Sequence, residues 1–332
     1  MEGYGHLDLL KLVLAYAVLL RHFTQSYLQE DSFLSRLIVC VISLIAVPAF
    51  FMASGFLLQD GTSEEDISFI RLKKQCLRVL RLYLVWTIIF FPLNLRSILQ
   101  NERGVVVCVF AFLQKFVFDG SWVQLCFLPS LTVGLLFVWL LRKRLRLNVV
   151  IAVSALIFVF GLFDDSWLVF CPKGLTVFFT AYNKVFLTTR NGIFFAPLFI
   201  SVGEKLAQMK HRIPKRNAIA VLAGGIAACV FEEIVLRNAT RGYVANMVLS
   251  DLPICIGLMI LVTSKKGLAM HREREMSIFV YCFHPLAIII CGHFLMGLRT
   301  SVILACILMI VSTAAIVVQQ LKKKIKVLRW LY

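Results

Sequence analysis

The chain has 332 residues, 60% of them hydrophobic and 16% charged, with a mean hydropathy of +0.86. Soluble chains are close to half apolar and a quarter charged, so this composition excludes a disordered chain, a disulfide scaffold and an ordinary cytosolic enzyme, and leaves a polytopic membrane protein. The formal charge of +17 would suggest nucleic acid on a soluble chain, but here the basic residues lie between apolar runs and form no basic–aromatic stripe, so no nucleic-acid partner is expected.

A bilayer core takes about 20 apolar residues per helix. Ten runs qualify, at 7–28, 37–59, 75–95, 122–141, 147–163, 190–208, 217–236, 243–264, 276–297 and 300–319. An eleventh, 104–118, is broken by Gln114 and Lys115 and stops at Asp119-Gly120, which suits a short interfacial or re-entrant helix. With the N-terminus in the cytoplasm, the inside segments hold 24 of the 35 Lys and Arg residues and the outside 11, the excess that the positive-inside rule demands. If 104–118 crossed, every later loop would change sides and the bias would fail. The expectation is an all-α polytopic protein of the cell membrane, with ten transmembrane helices, both termini cytoplasmic and 1–332 forming one integral membrane domain among the lipids. The stretches near 96–121 and 164–189 face outside, and Trp122, Asp164, Asp165, Trp167 and Tyr182 suit a cover over the bundle's outer mouth. The ten cysteines show no CxxC or Cys/His ligand spacing and read as small buried hydrophobes, so no metal is expected. No cleavable signal pattern opens the chain.

Ionisable groups inside spans are costly and often functional. In the first run Lys11 and His22 are eleven residues apart, which puts them within about 20° of one face and about 16 Å apart along a helix. Asp8, Ala15, Gln25 and Gln29 share that stripe. The pair suits a channel with a phosphate-binding cation at one end and a general base at the other. By spacing alone, a snorkelling lysine and a satisfied histidine suit it better. Ser54 and Gly55 in the second run allow close approach of another chain, for ligand or for helix packing. Arg71, Lys74, Arg78 and Arg81 open the third run; Arg78 and Arg81 share a face and suit a polyanion or lipid headgroups. Farther on, Arg190-Asn191-Gly192 starts the sixth run, Glu232 and Glu233 end the seventh, and Tyr281, His284 and the helix-breaking Pro285 sit inside the ninth.

Taken together, these motifs resemble the acyltransferase-3 family of integral membrane acyltransferases. Lys11-x10-His22 resembles its first helix and VPAFFMASGFLL, at 47–58, its second. Arg78-x2-Arg81 before Tyr83 resembles the start of its third. FLPSL at 127–131, Arg190 to Phe195 with Gly203, and Tyr281-x2-His284-Pro285 resemble later motifs. The resemblance implies a ten-helix fold and transfer of an acyl group, usually acetyl, from cytoplasmic acyl-CoA to a hydroxyl on an envelope glycan or its lipid-linked precursor. It makes His22 the catalytic residue and Lys11, Arg78 and Arg81 donor-side residues. On that basis Arg71 and Lys74 are expected beside the acyl-CoA phosphates, and Ser54 and Gly55 along the path of the thioester arm. Glu233, Arg190, Asn191, Trp122, Tyr281 and His284 are candidates for the acceptor side. Two positions depart from the pattern: Cys126 stands where a tryptophan is expected, and Lys11 where arginine is common. With no esterase-like segment after its last run, the chain resembles the stand-alone members. Over 118–203, FDGSW, FDDSW and TRNGIFFAPLF also resemble the membrane part of vancomycin-resistance serine racemases. That likeness implies an alternative role, moving a small polar solute such as serine without acylation.

Overall fold

The computed structural model describes residues 2–27, 44–62, 67–100, 104–209, 213–239, 246–295 and 297–332. Among these the fold is helical, apart from one two-residue strand pair, β1 (Glu2–Gly3) and β2 (Gly267–Leu268). The helices are α1 (Gly5–Tyr27), α2 (Ala46–Gln59), α3 (Phe69–Leu99), α4 (Val105–Phe118), α5 (Phe127–Arg142), α6 (Leu147–Leu162), α7 (Lys173–Phe186), α8 (Ala196–Gln208), α9 (Lys215–Ala239), α10 (Asp251–Thr263), α11 (His271–Phe294) and α12 (Thr300–Leu321).

Each of the ten predicted runs holds one of these helices. Five helical stretches are long and apolar enough to cross a bilayer: Phe69–Leu99, Val123–Arg142, Lys215–Ala239, His271–Phe294 and Thr300–Leu321. Ala46–Gln59, Val105–Phe118, Leu147–Leu162 and Asp251–Thr263 are apolar but shorter. Residues 37–43 of the second run, Gln29, Cys40, Lys210 and Arg212 lie outside the described residues. The helix expected near 104–118 is present as α4; at 14 residues it is about 21 Å long, short of the ~30 Å hydrocarbon core. One helix, α7, falls in a stretch read as a non-spanning cover. It packs against α4, with Gln114 Nε2 donating to the carbonyls of Lys184 (2.6 Å) and Val185 (2.9 Å).

At the centre, α2 crosses α8, and most residues of both are buried. The crossing is tight because it is built on glycine. A Cβ on Gly55 would strike the Ile200 carbonyl, and one on Gly203 would strike the Met52 carbonyl. Around this pair lie α1, α5, α6 and α10. Of the remaining contacts, the α1–α11 packing positions the site. β1 pairs with β2 just ahead of the two helices, and Asp8 Oδ2 accepts the Met270 N–H at 3.2 Å. At the far end, Tyr27 OH donates to the Ile288 carbonyl at 3.3 Å. These ties hold α1 and α11 parallel and in register.

Candidate active site

Because α1 and α11 are parallel, what each carries at one level meets what the other carries there. His22 and His284 stack with ring centroids 5.4 Å apart and planes 19° from parallel. About ten residues back along both helices, Lys11 lies within Coulomb reach of Arg274 and of Arg78 from α3. Arg78 in turn neighbours Arg274, Arg81 and Glu275. The result is a cation end and a histidine end on one helix pair.

At the histidine end, His284 is fully buried and His22 half-buried. Gln25, one turn beyond His22, lies within hydrogen-bonding reach of its ring. The Tyr281 ring meets His284 edge-on at 6.2 Å, and its hydroxyl donates to the Gln124 carbonyl at 2.7 Å. Arg190 comes from the turn before α8, within Coulomb reach of His22, Tyr281 and Cys126, and its guanidinium lies 4.0 Å from Asp119. Burial pushes the Asp119 carboxyl above the usual carboxylate range, against the pull of Arg190 and Lys115. Phe127, next to Cys126, is flanked by the rings of Phe50, Phe51 and Tyr281.

The other candidates divide. Trp122 stacks on Phe90 at 5.1 Å, in an aromatic layer beside Trp86. Asn191 is tied up locally: its Oδ1 accepts from Ile193 N and Phe194 N, and its Nδ2 donates to Tyr182 OH. Arg71 bonds Thr62 Oγ1 and the Asp60 carbonyl, fastening the turn after α2. Lys74 is exposed. Ser54 donates to the Phe50 carbonyl of its own helix at 2.8 Å, and Gly55 is occupied by the α8 crossing. Glu233 is buried on α9 near Cys229. A cavity of about 190 Å³ between the ends of α8 and α10 is lined by none of the predicted site residues.

The line joining the two ends of the site is packed. Ala15 and Val18 on α1, and Ser277 and Val280 on α11, are all buried between them. Sequence reasoning missed Arg274, Gln124 and Asp119 as members of the site, while it placed Gln25 on the Lys11–His22 stripe without giving it a role. Arg274 carried a signal, since it precedes His284 by almost the spacing of Lys11 to His22, but only the parallel packing gives that spacing meaning.

The racemase-like motifs build the cover at the histidine end. In FDGSW, Gly120 takes φ +99°, a conformation that favours glycine, and a Cβ there would meet Cys126 N. Tyr83 OH accepts Ser121 N and donates to the Phe116 carbonyl, and Thr87 bonds Ser121. In FDDSW, Asp164 holds Asn183 and Thr189, Asp165 holds the N–H groups of Asn246 and Met247, and Trp167 donates to Glu232. Arg21, next to His22, donates to Asn246 Oδ1 at 3.2 Å.

The acyltransferase domain family matches residues 4–318. The chain therefore belongs to the acyltransferase-3 family, and membership supports acyl transfer as its general chemistry and a membrane protein as its class. Among curated proteins it is similar to an amino-acid racemase of Enterococcus faecalis, 27% identical over 86% of this chain and 41% of that one. It is also similar to a serine/alanine racemase of Enterococcus gallinarum, 32% identical over 50% of this chain and 24% of that one. The chain spans less than half the length of these relatives. No solved structure matches.

Proposed function

We propose that this protein moves an acyl group, acetyl in the simplest case, from cytoplasmic acyl-CoA to a hydroxyl of a cell-envelope glycan or its lipid-linked precursor. On this reading the chain crosses the membrane ten times, both termini are cytoplasmic, α4 lies at the outer interface, and the cation end faces the cytoplasm. The observation that carries it is the matched register of α1 and α11, which gathers cations at one level and imidazoles at the other.

The donor's phosphates bind Lys11, Arg78, Arg81 and Arg274, with Lys74 and Arg71 at the rim. Guanidinium groups suit phosphate because their N–H donors match its oxygens in pairs. The thioester arm runs along α1 towards His22. Since Ala15 and Val18 fill that line, donor binding requires α1 to part from a neighbour. At the far end His22 either takes the proton of the acceptor hydroxyl or carries the acyl group itself. The acceptor approaches from the side of Arg190, Trp122, Tyr281 and His284.

The test is transfer of label from [14C]acetyl-CoA to an envelope fraction by purified protein. His22→Ala is expected to lose about 10²–10⁴-fold, the usual worth of a positioned base. Equal transfer by mutant and wild type would remove His22 from the chemistry.

The names of the relatives favour a second reading, in which the membrane part handles a small polar solute such as serine without acylation. That reading expects protein-dependent serine uptake with no need for CoA. Protein-dependent release of CoA argues for the first.

A further inference from the structure

Four polar atoms of the residues gathered at the histidine end are buried with no hydrogen-bond partner among the described residues: His284 Nε2, Gln124 Oε1, Asp119 Oδ1 and Arg190 Nε. Buried polar groups are nearly always satisfied, so each such atom needs a reason. Their chemistry can be read from what surrounds them.

His284 is the most constrained. Pro285 has no N–H, so the Tyr281 carbonyl four residues back lacks its helix donor. The His284 ring turns its Nδ1 towards this part of the helix, 3.2 Å from the Val280 carbonyl and near that of Tyr281. A carbonyl only accepts, so Nδ1 carries the proton. In the neutral ring Nε2 is then a bare lone pair, on the opposite side of a ring whose face lies against His22. The neighbouring Tyr281 hydroxyl is already committed to the Gln124 carbonyl. Gln124 Oε1 and Asp119 Oδ1 are likewise acceptors, whereas Arg190 Nε–H is a donor.

We infer that His284 is a second catalytic residue, the base that receives the acceptor's hydroxyl proton, and that the acceptor is a neutral polyol. A ligand satisfying the four atoms offers three O–H donors and one oxygen acceptor. Neutrality rests on the Asp119–Arg190 pair, whose groups lie 4.0 Å apart, so the guanidinium already has an acidic neighbour. The inference rests on the acyl-transfer reading. In the step, the hydroxyl oxygen bonds to the acyl carbon as its proton passes to His284 Nε2. The bond from acyl carbon to the His22 ring nitrogen, formed when that nitrogen displaced the coenzyme A thiolate, breaks with its electron pair. The proton then goes from His284 to the thiolate, so that alcohol and acyl-CoA give ester and free CoA thiol.

The full chain in detergent, supplied with [14C]acetyl-CoA and an envelope fraction, tests this with three variants. His284→Asn keeps a donor towards the Val280 carbonyl but removes Nε2. His284→Gln offers an amide oxygen near Nε2 that can accept a hydrogen bond but not a proton. Both are expected to lower kcat about 10²–10⁴-fold with KM for acetyl-CoA unchanged, whereas Gln124→Leu raises the KM for the acceptor and leaves kcat near wild type. Wild-type turnover in either folded His284 variant overturns the inference while leaving acyl transfer intact. Absence of label transfer by the wild type overturns acyl transfer itself, and the inference with it. Should both His284 variants melt early, 15N-histidine spectra of the wild type, assigned by substituting the other five histidines singly, decide: an Nδ1–H tautomer supports the assignment and an Nε2–H tautomer overturns it.

Discussion

Lys11 and Arg274 stand at one level of the parallel α1–α11 pair, two like charges brought together by the ties that fix the helix register. Two carboxylates neighbour the group and offset part of its charge: Asp8, which also holds Met270 N, and Glu275, which bonds Lys322. Arg78 adds a third positive charge from α3. Such a group favours an anion between its members. A hydrogen bond to a charged group is worth about 1.5–3 kcal/mol, so Arg274→Gln is expected to raise KM for acetyl-CoA tenfold or more, with kcat little changed. Initial rates against donor concentration check this; an unaltered KM removes Arg274 from the donor site.

The α2–α8 crossing makes a second prediction. Gly55→Ala or Gly203→Ala forces a methyl group into the backbone of the facing helix, and overpacking of this kind costs about 1–3 kcal/mol or more. Gly224→Ala on α9 meets nothing within 4 Å. It is expected to hold or raise stability, since alanine is the better helix former by up to about 1 kcal/mol. Thermal melts in detergent separate the two outcomes, and a Gly55→Ala protein as stable as Gly224→Ala would contradict the crossing.

Asp165 holds the chain ahead of α10 through Asn246 N at 2.8 Å and Met247 N at 2.9 Å. Asp165→Ala strands those donors, at roughly 1–3 kcal/mol for each that stays dry. Because Arg21 reaches the same Asn246, the variant is expected to lose label transfer as well as stability. Amide exchange at Asn246 and Met247 is the direct measurement, and full protection of both in the variant would refute the clamp.

Much of the fold was legible because hydropathy marks a span without reference to its neighbours, and each predicted run carries a helix. Helix α7 escaped notice because lysines, threonines and Asn183 interrupt its apolar residues, and its partner α4 is remote in sequence. Lys11 and His22 were legible because one helix carries both at a spacing that repeats a face. Arg274 was not, because its meaning depends on which helix lies beside α11, and that is a tertiary fact. Asn191 lies in a recognisable motif, yet its side chain is spent on the turn into α8. Gly55 belongs to the helix crossing that the small-residue reading allowed.

The buried stretch of Ala15, Val18, Ser277 and Val280 has an electrical consequence. On the proposed topology, an open water file from Lys11 to His22 would short-circuit the membrane voltage, since protons hop readily between imidazole and solvent. A sealed waist lets the resting molecule act as an insulator. Proteoliposomes holding it should keep a proton gradient as long as empty vesicles do, and substituting Ala15 with aspartate should make them leak.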